Sequence, residues 1–86
     1  MPTIADFLGI KITIFYRDHP PMHVHVTYQD YQSRFSITSG DLLDGSIPQR
    51  QKRIVKNWIL ANSDALIDNW GRAERREPLE RLEGPT

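Results

Sequence analysis

Apolar and polar side chains alternate through the first half of the chain, which is the pattern of strands with one buried face. The alternation recurs in three runs, over residues 10–17, 22–27 and 31–37. Turn-forming segments follow these runs: Asp18-His19-Pro20-Pro21, Gln29-Asp30 and Ser39-Gly40-Asp41. Because short connections join antiparallel neighbours, the sequence predicts an antiparallel meander of three or four strands within residues 10–45.

The same alternation assigns each side chain to one face of the predicted sheet. The apolar face carries Ile10, Ile12, Ile14, Tyr16, Met22, Val24, Val26, Tyr31, Ser33, Phe35 and Ile37. The polar face carries Lys11, Arg17, His23, His25 and Arg34, with little acid beside them. We therefore expect His23 and His25 to face solvent while Val24 and its apolar neighbours are buried.

The second half of the chain has apolar residues at helical spacing. Two stripes are visible, one of Ile54, Val55, Trp58 and Ile59 and one of Leu66, Ile67, Trp70 and Ala73. Ser46 is a candidate N-cap before Pro48, Asn62-Ser63-Asp64 is a candidate break, and Glu77-Pro78 is a candidate end. Both tryptophans are predicted to lie in the core, against the sheet.

The predicted fold is therefore α+β. A three- to four-stranded antiparallel meander is followed by two C-terminal helices within about residues 47–76, packed on one face. Residues 72–86 alternate four arginines with four glutamates, and a solvated tail is expected over 77–86. A chain of 86 residues is predicted to form a single domain, residues 1–86.

Composition excludes several classes of protein. The chain has no cysteine, so it has neither disulfides nor thiolate metal ligands. Its stability must therefore come from packing, to which a second copy of the chain or a partner protein could contribute. No apolar run approaches the roughly 18 residues of a membrane span, and the N-terminus lacks the pattern of a signal peptide. We expect a cytoplasmic protein that makes no membrane contact.

All three histidines, His19, His23 and His25, lie within seven positions. Residues two apart on a strand are roughly 6.5 to 7 Å apart on one face, so the imidazoles of His23 and His25 can reach one Zn²⁺, Ni²⁺ or Fe²⁺ ion at about 2.0 to 2.2 Å. A third ligand would be His19, Asp18 or a residue from elsewhere. Three interpretations are open: a divalent transition metal site, a histidine site without metal, and ordinary polar residues of a half-exposed strand.

The predicted polar face also suits nucleic acid. Lysine and arginine neutralise phosphates, and histidine can exchange a proton with a 2′-hydroxyl, so an RNase-like activity is open although no specific motif supports it. Candidate base-stacking residues are Phe15, Tyr28 and Tyr31. The first helix carries Arg50, Lys52, Arg53 and Lys56, which favour a solvated basic face over a DNA-reading helix. A protein-interaction module without chemistry is the remaining alternative.

Several segments resemble a known family. They are Met1-Pro2-Thr3-Ile4, Phe7-Leu8-Gly9-Ile10, Phe15-Tyr16-Arg17-Asp18-His19-Pro20-Pro21-Met22-His23-Val24-His25-Val26, Gly40-Asp41-Leu42-Leu43-Asp44-Gly45 and Asn69-Trp70. The chain is similar to the small bacterial proteins grouped as domain of unknown function 4160, with Met22 where another proline is expected.

The resemblance implies a small partner protein encoded beside this one, in an arrangement similar to toxin–antitoxin pairs, and implies no catalytic residue. We therefore expect a component of a two-protein module whose histidine-rich cationic sheet face binds RNA or the partner. A homo-oligomer is also open.

Overall fold

The computed structural model describes residues 2–85, which form a five-stranded antiparallel sheet followed by two helices. The strands are β1 (Thr3–Phe7), β2 (Ile10–Thr13), β3 (His23–Tyr28), β4 (Tyr31–Ser36) and β5 (Leu42–Gly45), and the helices are α1 (Gln49–Ala61) and α2 (Ser63–Glu74). Strand order in the sheet follows the chain. The α+β class and the antiparallel meander are confirmed, with more strands than predicted. Met1 and Thr86, which the resemblance and the predicted tail include, lie outside the described residues.

The strand that the sequence did not predict is β1. It joins β2 through Leu8 and Gly9, whose φ angles of 52° and 77° are both left-handed, as in the two-residue turns that suit hairpins. The pairing of β1 with β2 shifts register between Thr3 and Ala5, and Ile4 and Ala5 are both buried. This irregularity removes the period of two from β1, so alternation could not reveal it.

Strand β2 is shorter than predicted, since it ends at Thr13 instead of continuing to residue 17. Arg17 has a left-handed φ of 55°, and its amide donates a hydrogen bond to the Ala73 carbonyl of α2 at 3.3 Å. The chain therefore leaves the sheet before Tyr16, which is 43% exposed. The prediction that Tyr16 lies on the buried face was wrong.

The apolar sheet face and both helices form one core. The predicted core residues found buried are Ile10, Ile12, Ile14, Val24, Val26, Phe35, Ile37, Val55, Trp58, Ile59, Leu66, Trp70 and Ala73. Met22 and Ile54 are partly buried against this core, whereas Ile67 is exposed. The ring of Trp58 lies 5.2 Å from that of Phe7, and the ring of Trp70 lies 5.3 Å from that of His23. Both tryptophans are therefore buried against strand residues, as predicted.

Helix boundaries differ in detail from the prediction. Helix α1 starts at Gln49, so Pro48 and not Ser46 occupies the N-cap position, and no side chain caps the helix. The Ser46 amide donates a hydrogen bond to the Gln32 carbonyl beside β5. Asn62 separates the two helices as expected, and α2 ends at Glu74, before the predicted Glu77-Pro78. Within residues 2–85, neither helix has the length and apolar character that crossing a membrane requires.

The expected tail is instead a packed segment, which we call the C-terminal strap, residues 77–85. The side chain of Asn69 in α2 is buried and forms two hydrogen bonds of 2.8 Å with the Glu80 backbone, donating to its carbonyl and accepting from its amide. The Leu82 amide donates to the Ile4 carbonyl at 2.7 Å, and Trp58 Nε1 donates to the Glu83 carbonyl at 2.8 Å. Leu79 and Leu82 pack on the core. The charged side chains of this segment are exposed, as expected of a solvated tail, but its backbone and two leucines are packed against the fold.

Candidate metal centre

Three of the residues that the sequence singled out meet at one end of the polar sheet face. His23 and His25 are two apart on β3, and Asp18 lies in the connection between β2 and β3. Helix α2 holds this connection, because its Ala73 carbonyl accepts the Arg17 amide. The cluster is therefore placed jointly by a strand, a loop and a helix.

One carboxylate oxygen lies between the two imidazoles. Asp18 Oδ2 is 3.0 Å from His23 Nε2 and 3.0 Å from His25 Nε2. One nitrogen from each ring and one carboxylate oxygen all lie within 4.8 Å of one another. Among the residues that the structure describes, this is the one group of three or more such side chains with this spacing.

The hydrogen bonds of His23 identify which ring nitrogen is free. Nδ1 lies 2.6 Å from the Pro21 carbonyl oxygen, which can only accept, so Nδ1 carries the hydrogen and donates it. Nε2 is buried and makes no hydrogen bond, although Asp18 Oδ2 is well within range. The distance suits a hydrogen bond but the direction does not, because the carboxylate oxygen lies away from the axis of the Nε2 lone pair. A neutral His23 thus presents an unpartnered lone pair inside the protein.

Burial of His23 was not expected from the sequence. Its residue exposure is 1%, and the Trp70 ring packs against it. The prediction that His23 faces solvent was wrong, because alternation assigns a face but does not show what covers that face. Val24 and Val26 are buried as predicted, whereas Met22 is only partly buried.

His25 lies further along the same face and is partly accessible, with 24% of its side chain exposed. Its Nε2–H donates to Asp18 Oδ2, and its ring stacks on Phe15 with centroids 3.9 Å apart and an angle of 14° between the planes. Phe15 therefore fixes the plane of the imidazole that faces Asp18.

The surroundings of Asp18 favour its ionised form. Partial burial opposes ionisation, but the hydrogen bonds from His25 and from the His19 amide hold the pKa of Asp18 below its ordinary value. The cluster therefore contains a carboxylate at neutral pH, the form that a metal ion requires.

His19 is not part of the cluster. Its side chain is 71% exposed, and its Nε2 is 4.0 Å from Asp18 Oδ1. The carboxylate oxygen that faces His23 and His25 is the other one, Oδ2. Its ring centroid is 5.8 Å from that of His23. Of the candidate third ligands, the structure brings Asp18 to the two histidines.

The remaining predicted site residues have separate surroundings. Lys11 and His25 line the same hollow on the polar face. Arg34 forms a bidentate ion pair with Asp44, and this hydrogen bonding holds the pKa of Asp44 below its ordinary value. Arg17 lines a different, shallow hollow with Arg76. The structure therefore brings Lys11 close to His25 and does not bring Arg17 or Arg34 into the metal-ligand cluster.

The polar face is balanced in charge. Asp18 faces the histidines, Asp44 pairs with Arg34, and Asp6 is the register partner of Lys11 on β1. The prediction that little acid projects from this face was wrong, because Asp18 and Asp6 come from segments that were not predicted as strands.

The candidate base-stacking residues lie on different faces of the sheet. Tyr28 and Tyr31 are cross-strand partners with ring centroids 6.4 Å apart, and their positions on β3 and β4 place them on the face opposite His25. Gln51 of α1 donates a hydrogen bond to the Tyr28 hydroxyl at 3.3 Å. Only Phe15 lies beside the histidines.

Comparison with known proteins identifies a family. Residues 9–71 match the family described as Domain of unknown function (DUF4160), and this range contains Asp18, His23 and His25 together with both helices up to Gly71. Neither a search of curated proteins nor a search of solved structures found a match.

Proposed function

The chain belongs to the DUF4160 family, and we propose that it binds a divalent transition metal ion through Asp18, His23 and His25. The observation that carries the proposal is the buried Nε2 of His23, which has no hydrogen bond although an ionised carboxylate lies 3.0 Å away. A buried polar atom without a partner costs about 1 to 3 kcal/mol, and a bound cation would remove that cost.

The donor set fits such an ion. Two imidazole nitrogens and one carboxylate oxygen suit Zn²⁺, Fe²⁺ or Ni²⁺. Adjacent ligand atoms of an octahedral ion with bonds of about 2.1 Å are about 3.0 Å apart, which matches the separation of Asp18 Oδ2 from His23 Nε2. Donation from His23 Nδ1 to a backbone carbonyl is the arrangement that commonly orients a metal-binding histidine.

A proton on His23 Nε2 is the alternative occupant of this position, and it satisfies the site less well. An Nε2–H group would point along the lone-pair axis, where Asp18 Oδ2 does not lie, so the buried hydrogen would have no acceptor. At His23 the off-axis carboxylate leaves the lone-pair axis free for a metal ion. At His25 the ion would replace the Nε2 proton that Asp18 now accepts.

Three protein ligands leave coordination positions for other molecules. Structural zinc sites usually have four protein ligands, whereas sites with three keep a position for water or substrate. His25 is partly exposed, so this side of the cluster is accessible from solvent. The geometry therefore favours a site that binds an external ligand over a purely structural one.

Metal titration of protein purified without a histidine tag tests the proposal. We expect one Zn²⁺ or Co²⁺ per chain by calorimetry, and a loss of affinity of about 100-fold or more in Asp18→Asn and His25→Gln. Mutation of residues that only orient the ligands already lowers metal affinity by about 10- to 100-fold. His19→Ala is the matched control, because His19 neighbours Asp18 in the chain but lies outside the cluster, and it should bind normally. Absence of stoichiometric binding, or equal affinity in His25→Gln and the parent, would contradict the proposal.

RNA binding and the partner encoded beside this protein stay predictions from the sequence. The pairing of Arg34 with Asp44 and the presence of Asp18 reduce the positive charge that the RNA hypothesis relied on. Growth arrest on expression, relieved by the neighbouring gene, would establish a toxin role.

A further inference from the structure

The C-terminal strap lies in a groove whose polar groups bind its backbone. The Asn69 side chain pairs with the Glu80 amide and carbonyl, and the Trp58 indole donates to the Glu83 carbonyl. Strand β1 is at the edge of the sheet, and one of its carbonyls accepts a hydrogen bond from a strap amide. All these bonds end on main-chain atoms of the strap, so they select an extended backbone and no particular side chain.

The side chains of the strap add selectivity at three of its positions. Leu79 and Leu82 pack on the core, whereas the charged residues of the strap are exposed. A Cβ added at Gly84 would lie 2.5 Å from the Cβ of Phe7 and 2.7 Å from its Cγ, so a side chain does not fit there. The groove therefore selects the spacing Leu-x-x-Leu-x-Gly. We call the surface formed by Ile4, Phe7, Trp58 and Asn69 the strap groove.

Within residues 2–85, the strap does not fill the space between its last residues and α1. Glu83, Gly84 and Pro85 line a cavity of about 560 Å³, to which Ile54 and Ala61 of α1 contribute apolar surface. Ligand pockets typically have volumes of roughly 300 to 1,000 Å³. The cavity therefore has room for larger apolar side chains at the positions of Glu83 and Pro85.

We propose that the strap groove binds a partner protein through an extended Leu-x-x-Leu-x-Gly segment, which takes the place of the strap. The strap is then a ligand from the same chain, and a short tether gives such a ligand an effective concentration of about millimolar. A partner segment with apolar side chains at the positions of Glu83 and Pro85 gains contacts in the cavity that the strap does not make, and these contacts let it displace the strap. This proposal does not depend on the metal site.

NMR titration of isotope-labelled full-length protein with two unlabelled peptides tests the proposal. The strap peptide has the sequence of residues 77–85, Glu-Pro-Leu-Glu-Arg-Leu-Glu-Gly-Pro. The leucine peptide differs by Glu83→Leu and Pro85→Leu, and it should bind at least tenfold tighter, because burial of one leucine contributes at least the roughly 1.4 kcal/mol that corresponds to tenfold. At saturation, the amide signals of the chain's own Glu80 and Leu82 should move to the positions of a disordered segment, while the Trp58 indole signal stays that of a hydrogen-bonded group.

A full-length variant with a weakened strap provides a second measurement. Glu80→Pro removes the amide hydrogen that the Asn69 side chain accepts, and the Glu80 side chain is exposed, so the core is unchanged. The variant should bind the strap peptide about fivefold or more tighter than the parent does, which corresponds to the roughly 1 kcal/mol of one hydrogen bond. The matched control is the strap peptide with Gly84→Ala, which should lose most of its affinity for parent and variant alike. The titration of the parent protein stands without this variant.

Four results would overturn the proposal. They are the absence of saturable peptide binding, binding that leaves the Glu80 and Leu82 signals of the chain unchanged, a leucine peptide that binds no tighter than the strap peptide, and equal binding of the Gly84→Ala peptide. Concentration-dependent dimers of the parent protein, measured by sedimentation, would identify a second copy of the chain as the occupant and would also overturn the assignment to a separate partner.

Discussion

Asn69→Ala should release the C-terminal strap and destabilise the fold. The Asn69 amide is fully buried in α2, and it is the side chain that both donates to and accepts from the Glu80 backbone. The substitution removes both bonds at once. It leaves the helix intact, since alanine has the highest helix propensity.

The size of the effect follows from the two bonds. An intramolecular hydrogen bond contributes about 1 kcal/mol net, so their loss should lower the free energy of unfolding by about 2 kcal/mol, and the space left by the buried amide adds to this. For a domain of 60 to 100 residues each kcal/mol changes Tm by about 4 to 8 °C, so Tm should fall by about 8 to 16 °C.

Thermal unfolding by circular dichroism measures the change, and limited trypsin cleavage after Arg81 reports opening of the strap. Asn57→Ala is the control, because Asn57 is an exposed asparagine of α1. A Tm within about 2 °C of the parent, with cleavage after Arg81 no faster, would refute the role assigned to Asn69, since the hydrogen-bond loss alone predicts four times that change.

Three further predictions concern packing, turn geometry and charge. Trp70→Ala should cost about 3 to 5 kcal/mol in a denaturant titration, a large share of the roughly 5 to 15 kcal/mol available to a domain. Gly45→Ala should cost more than about 1 kcal/mol in the same assay, because φ is +83° and the added Cβ would collide with the Gln32 carbonyl. The hydrogen bond from Lys56 holds the pKa of Asp41 below its ordinary value, so Lys56→Gln should raise that pKa in an NMR titration. Since the folded-state pKa is the lower one, this pair stabilises the fold above the ordinary pKa of aspartate and ceases to do so as pH falls through the folded-state pKa.

Period-two alternation predicted the central strands because one buried face imposes that period on every strand that crosses the core. Ile10, Ile12, Val24 and Val26 are accordingly buried as predicted. The pattern carried no information on β1, where the register irregularity places two successive residues inside.

The candidate site was predictable in part. The spacing of His23 and His25 indicated a shared face, and Asp18 was one of several candidate third ligands. Burial of His23 depends on Trp70, which is far away in the sequence, and the path of the loop decides between Asp18 and His19. Local patterns do not encode either contact.

The strap was missed because its contacts are made largely by backbone groups, which leave no pattern in the sequence of residues 77–85. One signal was present in α2. Asn69 lies at helical spacing between Leu66 and Ala73 in an otherwise apolar stripe, and a polar residue at such a position needs a buried partner.

The central claim is that Asp18, His23 and His25 hold one metal ion, and anomalous diffraction from crystals grown with Zn²⁺ tests it most directly. The account predicts a single strong peak within about 2.0 to 2.2 Å of His23 Nε2, His25 Nε2 and an Asp18 carboxylate oxygen, with His23 Nδ1 still donating to the Pro21 carbonyl. A peak that does not include His23 Nε2 among its ligands, or no peak at this end of β3, would contradict the account.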